Sequence, residues 1–231
     1  MSGALEYGAQ VADMMFDRGV VKFAGVGDAP AEGFKLKLHE KDPSAPLSPI
    51  YLNIRAEGHK DGTLRPEDFG LIADLLVKAT VVQDLDFRFL AGIPVAGEPI
   101  ADAMFEKLRA TKPNLVQLHL VKEEKEGGRS ITGIVEDLWA TGSILLVDDL
   151  ITKADTKLEA IAVCEEAGLE VEAVVVLVDR EQGGTDEIES IGHDLIAALM
   201  LSELLVHYVE TGRIDRSKAD EVEQYLVDNQ V

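Results

Sequence analysis

A single cysteine, Cys164, excludes an internal disulfide in this 231-residue chain and suits a reducing compartment. No apolar run is long enough to span a bilayer. The start, Met1-Ser2-Gly3-Ala4-Leu5-Glu6, lacks the basic region and apolar core of a secretory signal. These absences point to a cytoplasmic protein with no membrane partner. Cations are also scarce: 22 Lys and Arg stand against 43 Asp and Glu, for a net charge of −21. That balance argues against nucleic acid, which needs a basic footprint, and suits a solvated acidic surface. The five histidines, at 39, 59, 119, 193 and 207, have no metal-ligand spacing. No Ser–His or Cys–His nucleophile pair, internal repeat or domain linker stands out.

What is present is an α/β pattern around one stretch, Ser143 to Thr152. Ile144-Leu145-Leu146-Val147 reads as a strand buried on both faces, as in a parallel sheet. Two carboxylates, Asp148 and Asp149, follow, then Thr152, and a helical pattern begins directly after. Ligands of open α/β sheets bind beyond the carboxyl ends of strands. Two acids and a hydroxyl there suit a polyhydroxylated or phosphorylated ligand. One of the two acids alone would satisfy a helix N-terminus.

Elsewhere, residues 4 to 18 read as a helix and Val20 to Ala24 as a short strand. Phe34 to Leu38 and Ile50 to Arg55 alternate like a half-exposed strand pair, a small hood over the main sheet. Pro66 opens a helix with Phe69, Ile72, Ala73 and Leu76 on one side. Phe87 to Ala91 is a strand running into the glycine- and proline-punctuated turn 92–99 and a helix over 99–110, a ready anion site. Leu115 to Val121 is a strand, and residues 122–133 have the composition of a mobile loop. After Thr152, Leu158, Ile161 and Ala162 share one helix face, and Val171 to Val178 form the most apolar strand, ending in Asp179-Arg180-Glu181-Gln182-Gly183-Gly184. Leu195 to Leu199 is an edge strand. A helix capped by Ser202 follows, then a last helix opened by a Ser217–Asp220 capping box with Val222, Tyr225 and Leu226 as its apolar face.

Val147-Asp148-Asp149-Leu150-Ile151-Thr152 resembles the phosphoribosyl-pyrophosphate (PRPP) motif of type I phosphoribosyltransferases. Phe34-Lys35-Leu36-Lys37, Ser48-Pro49-Ile50-Tyr51 and Asp179-Arg180-Glu181 to Gly184 are similar to segments of orotate phosphoribosyltransferases, and the resemblance spans roughly residues 30 to 210. It implies a single domain: a hood over 20–56, a core of about 63–200 with a mainly five-stranded parallel sheet flanked by helices, and C-terminal helices over 201–231. It also implies transfer of phosphoribose from Mg-PRPP to orotate in a homodimer whose catalytic lid crosses between subunits. Asp148 and Asp149 would hold the ribose, Thr152, Lys153 and Thr156 the 5-phosphate, and the amides of Val95, Ala96 and Gly97 the pyrophosphate. Lys122 and Lys125 would cover the pyrophosphate, while Lys37, Tyr51, Leu52, Thr152 and Arg180 meet the base. Mg2+ would be held mainly by PRPP, with no dedicated protein ligand.

Four positions depart from the family pattern: Val121 replaces the lid arginine, Gly127 the lid histidine and Ala154 the loop glycine, while Asp155 adds a negative charge to the phosphate loop. A working transferase requires Asp155 to turn away, capping the helix that carries Leu158. Two other readings share these residues: a phosphoribosyltransferase for another base, and a non-catalytic nucleotide- or PRPP-sensing regulatory protein on the same fold.

Overall fold

The structure is a computed structural model and describes residues 2–36, 39, 42–125, 128–136 and 141–229. The elements are α1 (Ser2–Asp17), β1 (Val21–Phe23), β2 (Ile50–Leu52), α2 (Pro66–Val82), β3 (Phe89–Gly92), α3 (Gly97–Leu108), β4 (Val116–Lys125) and β5 (Gly128–Ile134). They continue with β6 (Gly142–Ile151), α4 (Asp155–Glu166), β7 (Leu169–Asp179), α5 (Gly184–Ser190), β8 (Leu195–Met200), α6 (Leu201–Glu210) and α7 (Arg216–Asp228).

The main sheet has six strands in the order β5-β4-β3-β6-β7-β8. All pairs are parallel except β4 with β5. The chain winds outward in one direction from β3 to β4 and in the other from β6 through β7 to β8, so the strand order reverses between β3 and β6. That reversal opens a crevice at the strands' carboxyl ends.

The apolar runs of β6 and β7 serve both faces, because successive side chains point to opposite sides. Leu145, Val147, Val175 and Leu177 join a core shared with α1, α2, α3, α6 and the hood. Ile144, Leu146, Val174 and Val176 join a second core against α4 and α5. Tyr208 of α6 ties the first core together: its ring lies 5.3 Å from Phe16 and 5.9 Å from Phe23, and its hydroxyl donates to the Ala12 carbonyl at 2.9 Å. Cys164 is buried in the second core, which pushes its thiol up to about 12 and leaves it inert.

Several sequence expectations change. The hood ladder is β1 with β2, Val21 opposite Leu52; Phe34 contributes a single bridge to Ser48. Its ring instead stacks on Tyr51 at 5.5 Å, so the alternation of that segment reflects packing on the hood. β4 runs on through Lys125 and pairs with β5, so residues 122–125 and 128–133 are paired strands where a loop over 122–133 was expected. β6 continues through both aspartates, with Asp148 opposite Val176. Ser202 does not cap α6: its amide and hydroxyl donate to Glu181, while Glu203 accepts from the Met200 amide. α7 is capped by Asp215, which accepts from the Lys218 amide at 2.8 Å. The buried face of α4 is Lys157, Ala160, Ile161 and Cys164; Ala162 is exposed and Leu158 half-buried.

The crevice depends on a close backbone approach. A Cβ on Gly97 would lie 2.3 Å from the Val147 carbonyl oxygen and 3.1 Å from the Asp148 Cα. Both obstacles are backbone, so a side chain must push β6 and α3 apart, an overpacking cost of about 1–3 kcal/mol. Gly97→Ala is expected to lower thermal stability by that amount; an unchanged melting temperature would contradict this geometry.

Candidate active site

β3 and β6 end together: Gly92 is opposite Val147, and the Ile93 amide donates to the Val147 carbonyl at 2.7 Å. The turn 93–96 therefore lies beside Asp148. Its amides divide unexpectedly. Gly97 N donates to the Ile93 carbonyl at 3.0 Å and is not available to a ligand, whereas the Val95 and Ala96 amides make no hydrogen bond among the described residues. Gly97 acts by its lack of a side chain. Lys122 of β4 reaches this turn, its Nζ donating to the Pro94 carbonyl at 2.6 Å.

The two acids differ. Asp148 is buried, and its Oδ2 accepts from Lys157 Nζ at 2.5 Å. Its Oδ1 accepts from the Asp149 amide at 2.8 Å. Asp149 bonds the Leu150 amide, and burial, then the adjacent Asp148 carboxylate, push its carboxyl up to about 8 against the pull of Lys157. One acid is thus ion-paired and the other holds a proton near neutrality, as expected for two carboxylates sharing one site.

Beyond Thr152 the α4 N-terminus offers amides. Those of Lys153, Asp155 and Thr156 make no hydrogen bond among the described residues, as at any helix start lacking a side-chain cap. Ala154 N donates to Glu187 Oε2 of α5 at 3.0 Å. Asp155, the first residue of α4, is exposed and caps nothing; Glu187 meets only the amide of Ala154, ahead of the helix. Lys153 is exposed and Thr156 half-buried.

Arg180 follows β7 at the same edge, with its amide bonded to the Ile151 carbonyl at 3.0 Å. Its NH1 donates to Thr152 Oγ1 at 3.4 Å, while its buried Nε has no partner among the described residues. Burial pulls the guanidinium below its usual value. A buried, under-satisfied guanidinium is costly unless an anion completes it.

The structure therefore brings together Asp148, Asp149, Thr152, Lys153, Thr156, Arg180, Lys122 and the turn Val95-Ala96-Gly97 around one strand edge. Tyr51 and Leu52 lie half-buried in the hood. Lys37 and Gly127 fall outside the described residues, as does the Lys125 side chain, although the Lys125 backbone pairs with Gly128.

No family model matches the chain. The orotate phosphoribosyltransferase of Aquifex aeolicus is 31% identical over 182 residues, covering 78% of this chain and 90% of the relative. The chain belongs to the orotate phosphoribosyltransferase family. A Leishmania donovani UMP synthase structure superimposes with a TM-score of 0.73 at 28% identity, covering 96% of this chain and 42% of that one. An orotate phosphoribosyltransferase structure from Francisella tularensis, 19% identical, covers 95% of this chain and 98% of that one with a TM-score of 0.65, which shows the shared fold. The fold is thus the α/β type I phosphoribosyltransferase fold expected from the sequence, and the family is one of pentosyl-transferring enzymes.

Two residues of the site escaped the sequence reading. Lys157 had a signal: stepping back from Cys164 by three, four and seven residues gives Ile161, Ala160 and Lys157, one helix face. Glu187 had none, because its bond to Ala154 crosses between helices 33 residues apart.

The Asp149 carboxyl makes a pH prediction. Its folded-state value is raised, so its contribution to stability is full below the ordinary value of 3.8 and is lost as pH rises through about 8. Asp149→Asn removes that titration. Its melting temperature relative to the parent is expected to rise between about pH 5 and about pH 9. A constant difference across that range would show that Asp149 titrates normally.

Proposed function

We propose that the site transfers phosphoribose from Mg-PRPP to orotate, giving orotidine monophosphate and pyrophosphate. The observation that carries this reading is the Arg180 guanidinium: its Nε buried without an acceptor, and set at the strand edge that bears the acid pair. A planar carboxylate such as that of orotate completes such a donor set in a bidentate way. Family membership supplies the sugar-phosphate half of the reading.

The positions of the described side chains support the following roles. Asp148 and Asp149 accept from the ribose hydroxyls; Thr152, Lys153 and Thr156, with the unbonded amides of α4, receive the 5-phosphate. Glu187 already accepts from Ala154 N, so the phosphate either uses the remaining amides or displaces that carboxylate. Val95 and Ala96 offer amides to the pyrophosphate, Gly97 lets that turn approach β6, and Lys122 reaches the same turn at the Pro94 carbonyl. Lys125 and Lys37 keep their expected roles at the pyrophosphate and the base, with Tyr51 and Leu52 closing the base side from the hood.

As the glycosidic carbon detaches from pyrophosphate it becomes oxocarbenium-like, and a ring nitrogen of orotate forms the new bond as its proton leaves to solvent. No covalent nucleophile is needed; fixed charges and position lower the barrier. The described residues contain no group of three or more His, Cys, Asp or Glu able to enclose a cation. Oxygens of PRPP itself, beside the Asp148–Asp149 pair, are the hard donors that suit Mg2+. Such an ion would supply positive charge to the departing pyrophosphate.

The working unit we propose is a cytoplasmic homodimer, with the β4–β5 hairpin as the lid shared between subunits. Each chain acts as one domain, with its hood over 20–56, core over 63–200 and C-terminal helices over 201–231. The first core, which runs from Val11 to Val222, supports that unity. In the described residues no helix is long and apolar enough to cross a membrane.

Arg180→Lys tests the base assignment, since a lysine lacks the bidentate fork. The KM for orotate is expected to rise tenfold or more, about 1.4 kcal/mol or more, with the KM for PRPP within about threefold of the parent. Equal losses for both substrates would contradict the assignment.

A further inference from the structure

Among the described residues, Lys157 is the one lysine or arginine buried over its whole length; Arg180 is half-buried, with its Nε fully enclosed. Taking an ammonium group out of water costs several kcal/mol unless its bonds are good, and both of its bonds go to the edge of β6. Nζ donates to Asp148 Oδ2 at 2.5 Å and to the Leu150 carbonyl at 2.7 Å. It therefore bridges the first acid of the pair and the backbone two residues farther on, across the peptide that carries Asp149. The side chain comes from the first turn of α4, on the face that packs into the second core with Ala160 and Ile161.

This arrangement fixes the direction of Asp148. One oxygen is held by Lys157 and the other by the Asp149 amide, so the rotamer is set from both ends. A carboxylate has about four acceptor directions, and those left over point where the two bonds leave them. The charge is fixed as well. PRPP is a polyanion, and an unpaired Asp148 carboxylate at its ribose would repel it at short range, where screening by salt is weak. Lys157 offsets that charge from inside the protein without occupying ligand space. The cations that face a ligand are others: Arg180 is under-satisfied, and Lys153 is exposed.

We propose that Lys157 is a positioning residue, which holds the Asp148 carboxylate towards a ribose hydroxyl and offsets its charge so that the acid pair accepts a sugar polyphosphate. This rests on the PRPP reading of the site given above. The position is demanding: a shorter or apolar side chain leaves Asp148 buried without its partner, and a guanidinium does not fit a point-charge site of this kind.

The test is a double-mutant cycle of Lys157→Met and Asp148→Asn in the full chain, with steady-state KM for PRPP and for orotate and the melting temperature measured for each protein. Lys157→Met is expected to raise the KM for PRPP at least tenfold and to leave the KM for orotate within about twofold, a split that a merely structural lysine would not produce. Because Lys157 acts through Asp148, the double variant is expected to match Asp148→Asn in its KM for PRPP within about twofold. If Lys157→Met fails to fold, that second comparison still decides. A folded Lys157→Met with the parent's KM for PRPP overturns the proposal, as does a double variant that shows the product of both single losses. A parent protein that does not bind Mg-PRPP at all overturns the site reading itself, and is told apart from the other outcomes by calorimetry on the parent alone.

Discussion

The site depends on two strands ending side by side where the sheet reverses its order. β3 and β6 are bonded as far as Gly92 and Val147, and the Ile93 amide extends that contact by one more bond. The turn into α3 then folds back until Gly97 touches the backbone of β6. That contact places a turn with two unbonded amides beside the acid pair. The parallel register of β6 and β7 adds Arg180, since Ile151 is opposite Asp179. Turn, acids, hydroxyl and guanidinium are thus held by backbone pairing of buried strands, the most rigid part of an α/β fold.

Local charge matters more here than the overall balance. A net charge of −21 is distant and screened beyond roughly 8 Å at physiological salt, whereas the groups at the strand edge act at contact range. There the protein pairs Asp148 with a buried lysine, keeps Asp149 protonated near neutrality and leaves Arg180 short of acceptors. Glu187 is the counter-current, a carboxylate on an amide at the start of α4. The departures at Ala154 and Asp155 matter less than the sequence suggests. Ala154 is fully buried and needs no left-handed backbone, with φ of −85°, and Asp155 is solvent-exposed.

Much of this was legible in the sequence where one physical rule dominated. β6 and β7 are unbroken apolar runs because both of their faces are buried, and the polar residues after such runs, Asp148, Asp149, Thr152 and Arg180, gather at the carboxyl edge where the strand order reverses. The buried face of α2 read correctly for the same reason: Phe69, Ile72, Ala73 and Leu76 repeat at helical spacing. The reading failed where tertiary partners decide. The amide of Gly97 bonds within its own turn, Ser202 answers Glu181 instead of its own helix, and a lysine takes a core position because an aspartate waits there. The segment after Val121 has loop composition, yet pairing with β5 keeps it extended.

Turnover shows whether this edge joins phosphoribose to orotate. Purified chain supplied with Mg2+, PRPP and orotate should consume orotate, seen as a fall in its ultraviolet absorbance, and release orotidine monophosphate and pyrophosphate in equal amounts. Omitting either PRPP or orotate should abolish the signal. Calorimetric binding of Mg-PRPP with no consumption of orotate would instead mean a sensing protein on a transferase fold.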